Sequence, residues 1–346
     1  MFRVALTGDF LGPDGQPRYR DLGLDVFRSH PDIHCQFFPE HRPAIAPEQL
    51  EGAQAVIVLA PRVTAGTVSR SDNLLAIARF GVGYDSVDVP ACTAADVVVL
   101  IAKGAVDRPV AEATVGWMLA LSHNVRQKDR LVREGRWGDR GGFMGGELRD
   151  RVLGVLGLGG IGRALIKLLE GFGMAPPLAH DPFVSAEDAA RIGVRLVELD
   201  ELLAAADFVS IHCPLTDGTR NLIGARELGL MKANAYLINT ARGGIVDEGA
   251  LYAILRDGRI AGAGLDCFAE EPIVSPHRFG ELENVLLAPH CIAWTDELFR
   301  DIGRTVCRGI VALRRHERPD GVVNPEVFDR PGCRDKWARL TEGATS

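Results

Sequence analysis

Three apolar runs in this chain end in residue types that could do chemistry. Asn239-Thr240-Ala241-Arg242-Gly243-Gly244 sets an arginine among small residues, where its planar fork can grip a carboxylate through two parallel hydrogen bonds. Leu265-Asp266-Cys267-Phe268-Ala269-Glu270-Glu271-Pro272 supplies acids after a second run, and Ala288-Pro289-His290 places a histidine after a third. If these ends converge, Arg242, Glu271 and His290 form a compact set suited to hydride transfer on a 2-hydroxy or 2-oxo acid. Arg242 would clamp the carboxylate and polarise the carbonyl. His290 would give a proton to the oxygen or take it back, while Glu271 holds the imidazole and favours its charged form. Taken singly, each residue has an ordinary reading as solvated charge or a hydrogen-bonded structural histidine. The combination carries the chemistry.

A hydride needs a carrier, and the stretch from Arg151 to Gly173 offers a site for one. Val152, Leu153, Val155 and Leu156 form a short apolar run, followed by Gly157, Gly159 and Gly162 in G-x-G-x-x-G spacing. From Ile161 the apolar residues shift to helical spacing, through Leu165, Leu168 and Leu169. Strand, glycine turn and helix in that order suit a dinucleotide pyrophosphate. The first glycine permits the turn, the second admits the phosphates to the backbone, and the third lets helix and strand pack closely. A second strand, Pro177 to His180, ends in Asp181, about 20 residues past the last glycine, where an acid binds ribose hydroxyls. Asp181 would repel a 2′-phosphate, so the expected cofactor is NAD rather than NADP.

The elements that must position these groups follow from the rest of the chain. At 346 residues the chain suits two domains, and 47% hydrophobic content with 39 glycines suits a well-buried α/β protein with many turns. Strands are expected at Phe2–Leu6, Ile33–Phe38, Ala55–Ala60, Leu74–Phe80 and Val97–Ile101, with helical stretches at Asp21–Arg28 and Thr64–Asn73. The turn Phe80-Gly81-Val82-Gly83-Tyr84-Asp85 reads either as a nest of N–H groups for a small carboxylate or as an ordinary turn. Pro109 to Ser122 reads as a helix leading into the second domain, and Arg130 to Gly146 as a polar, glycine-rich stretch. Beyond Asp181, a short alanine-rich helix, the apolar step Leu196–Leu199 and a helix over Asp200–Ala206 precede strands at Phe208–His212, Ala235–Asn239, Ile260–Leu265 and Val285–Ala288. Glu297 to Arg315 is the last clear helix, before a weakly patterned tail. Alternating strands and helices give parallel sheets covered on both faces, with ligands at the carboxyl ends of the strands.

Composition narrows the partners. A net charge of −7 argues against a nonspecific nucleic-acid or anionic-membrane surface. The first ten residues lack a signal-peptide pattern, and no apolar run reaches spanning length. Seven scattered cysteines without a C-x-x-C pair fit a reducing cytoplasm and offer no metal or disulfide framework. A cytoplasmic protein acting on a small molecule, with no membrane, nucleic-acid or metal partner, is expected.

Taken together, GLGGIG with HDP, HCPLTDGTRNLI, NTARGGIVDEGAL, AGAGLDCFAEEP and APH resemble the D-isomer-specific 2-hydroxyacid dehydrogenases, as do FGVGYDSVD and GGFMGGEL. The likeness covers roughly residues 50 to 300 and is nearest to phosphoglycerate dehydrogenase-like members. It implies two doubly wound parallel-sheet domains, an NAD-binding Rossmann domain inserted into a flavodoxin-like substrate domain, in a homodimer with a cleft between the lobes. The expected division is residues 1–103 with 297–346 for substrate and 104–296 for NAD. The resemblance makes Arg242 the substrate-binding arginine, Glu271 the acid of the EEP segment and His290 the proton donor. It places cofactor contacts on Val82, Gly160, Ile161, Asp181, Cys213, Thr240, Ala241, Asp266 and Ala293, with the Asp266 side chain on the nicotinamide amide. The backbone of Val82 and Gly83 would help Arg242 bind the substrate carboxylate, leaving Glu270 a neighbour.

The departures bear on the substrate. Ala102-Lys103-Gly104 replaces a Thr-Pro-Asn type of segment, and Asp107-Arg108 follows. Ile292 stands where glycine is common, with Trp294 soon after. No counterpart of the C-terminal regulatory extension of many phosphoglycerate dehydrogenases is seen, so serine feedback of that kind is not expected. The alternative reading is an NAD(H)-sensing, corepressor-like binding protein on the same fold. Formate dehydrogenase pairs its histidine with glutamine, so Glu271 counts against it.

Overall fold

The computed structural model describes residues 1–342 and divides into two compact units, Met1–Val106 with the chain from Trp294 onward, and Asp107–Ala293. The junctions fall three residues from those expected from the sequence, at Val106/Asp107 and at Ala293/Trp294.

The first unit is built on a five-stranded sheet in the order β2-β1-β3-β4-β5. Its strands are β1 (Phe2–Leu6), β2 (Ile33–Phe37), β3 (Ala55–Val58), β4 (Ala76–Arg79) and β5 (Val98–Ile101), every pair parallel. This is the flavodoxin-like order. Ala55 to Val58 are buried throughout, as a strand covered on both faces must be. The helix Asp296–Arg314 returns the chain to this unit and buries Leu298, Ile302, Val306 and Ile310 along one stripe.

The second unit carries a seven-stranded parallel sheet in the order β12-β11-β10-β9-β6-β7-β8. Its strands are β6 (Leu153–Leu156), β7 (Leu178–His180), β8 (Arg195–Leu196), β9 (Phe208–Ile211), β10 (Tyr236–Asn239), β11 (Gly262–Leu265) and β12 (Val285–Leu287). Counted from β6, this is the Rossmann order 3-2-1-4-5-6 with one further strand. The order reverses between β6 and β9, the point at which doubly wound sheets leave a crevice at the carboxyl ends of their strands. The helices Asp107–Ser122 and Gly160–Leu169 pack together, burying Ala111, Met118, Leu165 and Leu169 with strand residues Leu153 and Val155.

Three expectations need correction. The helical stretches Asp21–Arg28 and Thr64–Asn73 are short 3-10 turns, Leu24–Ser29 and Thr67–Arg70. Left-handed Gly23 (φ +67°) packs so closely on the backbone of Arg300 and Arg304 that the segment bends there. The polar stretch from Arg130 continues a helix, Val125–Arg133, before a 3-10 segment over Trp137–Phe143. The weakly patterned tail contains a further helix, Pro331–Thr341. Its apolar stripe is interrupted by buried Lys336, whose ammonium donates to the carbonyls of Ala95, Ser71 and Leu74 at 2.7, 3.0 and 3.3 Å. A charge inside an amphipathic face hides the periodicity. Among the described residues no helix is long and apolar enough to cross a membrane.

Candidate active site

The glycine turn lies at the reversal point of the second sheet. Gly157 adopts φ +94°, and a Cβ there would come within 2.7 Å of the Cys213 nitrogen at the end of β9. At Gly162 a Cβ would meet the Gly157 oxygen at 2.5 Å and Val155 Cγ1 at 2.9 Å, so helix and strand touch through the bare backbone. Gly159, directly before the helix Gly160–Leu169, has nothing within 4 Å of where its Cβ would stand. Open space therefore lies beside Gly159, next to partly buried Ile161, at the end of the helix whose first N–H groups could receive an anion.

Asp181 follows β7. Its Oδ2 accepts the Leu158 N–H of the glycine turn at 2.8 Å, and its Oδ1 accepts the Phe183 N–H at 2.9 Å. Both oxygens are thus anchored at the rim of the turn. Two further groups stand at this helix end. Arg163 donates from Nε to the Leu158 carbonyl at 2.9 Å. Asp107 lies over Gly160, where a Cβ would collide with its carboxylate, coming 2.6 Å from Oδ1. Arg163 has no role in the sequence expectation, although a cation one residue after the motif is a usable signal. Asp107 is expected at the substrate pocket, and nothing in the spacing ties that residue to Gly160.

The chemistry-bearing residues stand on three neighbouring strand ends. After β10, Asn239 folds the turn: its Oδ1 accepts the Ala241 N–H at 3.0 Å, and its amide donates to the Arg242 carbonyl at 2.8 Å. Arg242 donates to the Ala241 carbonyl at 2.7 Å, and Thr240 Oγ1 lies 3.4 Å from Thr114 Oγ1. No side chain fits at Gly243, because a Cβ would run into the Phe268 carbonyl of the next loop. After β11, Asp266 Oδ1 accepts the N–H groups of Cys291 and Ile292 at 2.9 and 3.1 Å. Burial pushes the Asp266 carboxyl up to about 6, against the pull of those N–H groups and of His290.

His290 sits after β12 with φ +54°, a backbone region uncommon for a side-chain-bearing residue and frequent at functional sites. Its Nδ1 lies 2.8 Å from Glu271 Oε2, while Glu271 Oε1 accepts the Phe268 N–H at 2.9 Å. Burial pushes the Glu271 carboxyl up. The hydrogen bond and charge of His290, the Phe268 N–H and the charge of Arg242 outweigh it and hold it below the usual value. With Nδ1 engaged, Nε2 is the ring nitrogen left to exchange a proton with a ligand.

Arg242, Glu271, His290, Asp266, Thr240, Ala241 and Ala293 all belong to the second unit, with the glycine turn, Asp181 and Cys213. Burial raises the Cys213 thiol to about 11, which keeps it a neutral packing group. Val82 and Gly83 belong to the first unit, in the turn after β4, where Gly81 accepts the Ala102 N–H at 2.8 Å.

This topology with a glycine turn at its reversal defines a dinucleotide-binding domain of the Rossmann class. Residues 115–291 match the family model described as D-isomer specific 2-hydroxyacid dehydrogenase, NAD binding domain. The D-3-phosphoglycerate dehydrogenase of Methanocaldococcus jannaschii is 40% identical over 279 residues, which are 80% of this chain and 53% of that protein. The glyoxylate reductase of Korarchaeum cryptofilum is 36% identical over 284 residues, 81% of this chain and 85% of that one. A crystal structure of D-lactate dehydrogenase from Aquifex aeolicus, complexed with NAD and lactic acid, matches with a TM-score of 0.77 at 26% identity, covering 91% of this chain and 96% of that chain. The chain belongs to the D-isomer specific 2-hydroxyacid dehydrogenase family. It spans about half the length of the phosphoglycerate dehydrogenases it matches.

Proposed function

We propose that this protein is an NAD-dependent oxidoreductase interconverting a D-2-hydroxy acid and its 2-oxo acid. The observation that carries the reading is the 2.8 Å contact between His290 Nδ1 and Glu271 Oε2, held beside Arg242 and Asp266 on adjoining strand ends. NADH, when bound, would supply the hydride to the carbonyl carbon. Arg242 holds the substrate carboxylate and polarises the carbonyl. His290 gives its Nε2 proton to the carbonyl oxygen as it becomes a hydroxyl, and Glu271 stabilises the imidazolium that must be present beforehand. In the oxidative direction the same nitrogen takes the proton back.

The cofactor lies, in this reading, along Gly157, Gly159, Gly160, Ile161 and Gly162 with its pyrophosphate, and against Asp181 with its adenosine ribose. Cys213, Thr240, Ala241 and Ala293 would line its remaining length, and Asp266 would accept from the nicotinamide amide. Asp181 favours NAD over NADP by charge.

NADH oxidation across glyoxylate, hydroxypyruvate, pyruvate and phosphohydroxypyruvate tests the reading. Turnover of at least one supports it, whereas demonstrated NADH binding with none turned over favours the NAD(H)-sensing alternative. We further propose a cytoplasmic homodimer. None of the seven cysteines, all among the described residues, is joined in a disulfide, as suits a reducing compartment. Val132, Trp137 and Met144 expose large apolar side chains along one segment, as a self-association surface does. Light scattering on the wild type and on Trp137→Lys reads the dimer directly.

A further inference from the structure

A third donor stands beside the histidine and the glutamate. One ligand atom each from Cys267, Glu271 and His290 lies within 4.8 Å of the others. Cys267 is the floor of the group: it is 3% exposed, and its Sγ approaches the Ala241 carbonyl at 3.4 Å. The side chains of Glu271 and His290 are 34% and 44% exposed and form the open side. The three residues follow β11 and β12, so two neighbouring strand ends carry the whole set.

A thiol, an imidazole and a carboxylate with one open side make the donor set of a three-ligand zinc site. Zinc bond lengths of about 2.0–2.3 Å put ligand atoms roughly 3.3–3.7 Å apart in a tetrahedron. The longest separation must therefore contract by about 1 Å and the 2.8 Å contact of His290 Nδ1 with Glu271 Oε2 must open by about 0.5 Å, which rotamer changes at the two exposed side chains can supply. Thiolate and imidazole select zinc over magnesium or calcium. Charge fits as well, since a thiolate and a carboxylate neutralise a divalent cation, and the buried Asp266 adds negative potential nearby.

We propose that Cys267, Glu271 and His290 form an inhibitory site for zinc. As the metal binds, the Cys267 S–H proton leaves to solvent, and sulfur, a His290 ring nitrogen and a Glu271 oxygen each replace a water on the ion. The ion then holds the imidazole that would exchange the substrate's proton, and removing the ion returns it. The binding step is independent of whether the catalytic reading is right.

The experiment titrates zinc into chelator-treated protein against a chromophoric competitor, with cobalt(II) as a spectroscopic stand-in. One equivalent should bind, and cobalt should give a thiolate-to-metal charge-transfer band in the near ultraviolet. Cys267→Val, Cys267→Ala and His290→Ala should each weaken binding by more than about 100-fold, beyond the loss typical of an outer partner of a metal ligand. Cys213→Ala and Cys291→Ala should retain it. In the NADH assay, zinc should inhibit reversibly, and Cys267→Val should escape inhibition with its metal-free rate unchanged. A missing charge-transfer band overturns the proposal, as does unchanged affinity in Cys267 variants that still unfold cooperatively, or a signal that follows Cys213 or Cys291. Zinc binding with no turnover of any 2-oxo acid would leave this site standing and remove the catalytic reading.

Discussion

Asp266 and His290 brace each other through the main chain. The Asp266 carbonyl accepts the His290 N–H at 2.8 Å, and Asp266 Oδ1 takes the next two N–H groups, of Cys291 and Ile292. The imidazole is therefore fixed from behind by backbone and from the side by Glu271. Its left-handed backbone conformation, costly for a histidine, is held in place by those bonds.

That arrangement separates chemistry from binding. His290→Ala should lower kcat by about 10²- to 10⁴-fold, the usual worth of a positioned acid–base group, while NADH affinity by fluorescence titration stays nearly unchanged. Equal loss of both would sink the proton-donor assignment. Glu271→Gln should cost less, because the amide can still bond the ring and the Phe268 N–H while the carboxylate's charge beside them is lost. An unchanged kcat would show that Glu271 only packs.

Two buried groups should give stability opposite slopes with pH. Burial raises the Asp266 carboxyl from 3.8 to about 6. Its contribution is complete below the unfolded value and is lost as pH rises through about 6. Burial lowers the His212 imidazole from 6.5 to about 4, and its Nε2 lies 2.8 Å from Ser210 Oγ. That contribution is complete above 6.5 and is lost as pH falls toward about 4, by about 3 kcal/mol over the whole window. Urea unfolding as a function of pH checks both. His212→Asn should flatten the acid-side loss, Asp266→Asn should flatten the opposite one, and parallel curves would refute the pair.

The sequence made the architecture legible where residue type and order agree. Short apolar runs ending in polar turns gave every long strand of both sheets within about two residues, and the glycine spacing located the reversal point of the second sheet. Arg242, Glu271 and His290 could be named because each ends a strand, and parallel strands gather their carboxyl ends. Contacts set by three-dimensional proximity were hidden. Asp107 meets Gly160 from 53 residues away, counting from one number to the other, and Cys267 joins His290 across two strand ends. The Pro331–Thr341 helix stayed hidden because its buried lysine is satisfied by carbonyls remote in sequence.

Cofactor choice should follow Asp181. Its carboxylate is tied to Leu158 and Phe183 and cannot swing away from a 2′-phosphate without breaking those bonds. Asp181→Ala should reduce the preference for NAD over NADP, read as the ratio of kcat/KM values. An unchanged ratio would remove Asp181 from the ribose site.

Asp107 should oppose the cofactor. It opens the helix Asp107–Ser122, and its carboxylate lies over the first residue of the helix Gly160–Leu169. A helix N-terminus attracts a carboxylate and a pyrophosphate for the same reason, its unpaired N–H groups and the positive end of its dipole. The two anions therefore compete, and the carboxylate must turn aside when the dinucleotide binds. Asp107→Asn should tighten NAD binding by about two- to fivefold, matching the roughly 0.3–1 kcal/mol of one charge at a helix end. Burial raises the Asp107 carboxyl, so protonation in mildly acidic solution should relieve the same competition. Wild-type affinity should then rise as pH falls, while that of Asp107→Asn stays flat. Calorimetric titration of NAD at several pH values measures both, and weaker binding in the variant would mean that the carboxylate helps to seat the cofactor.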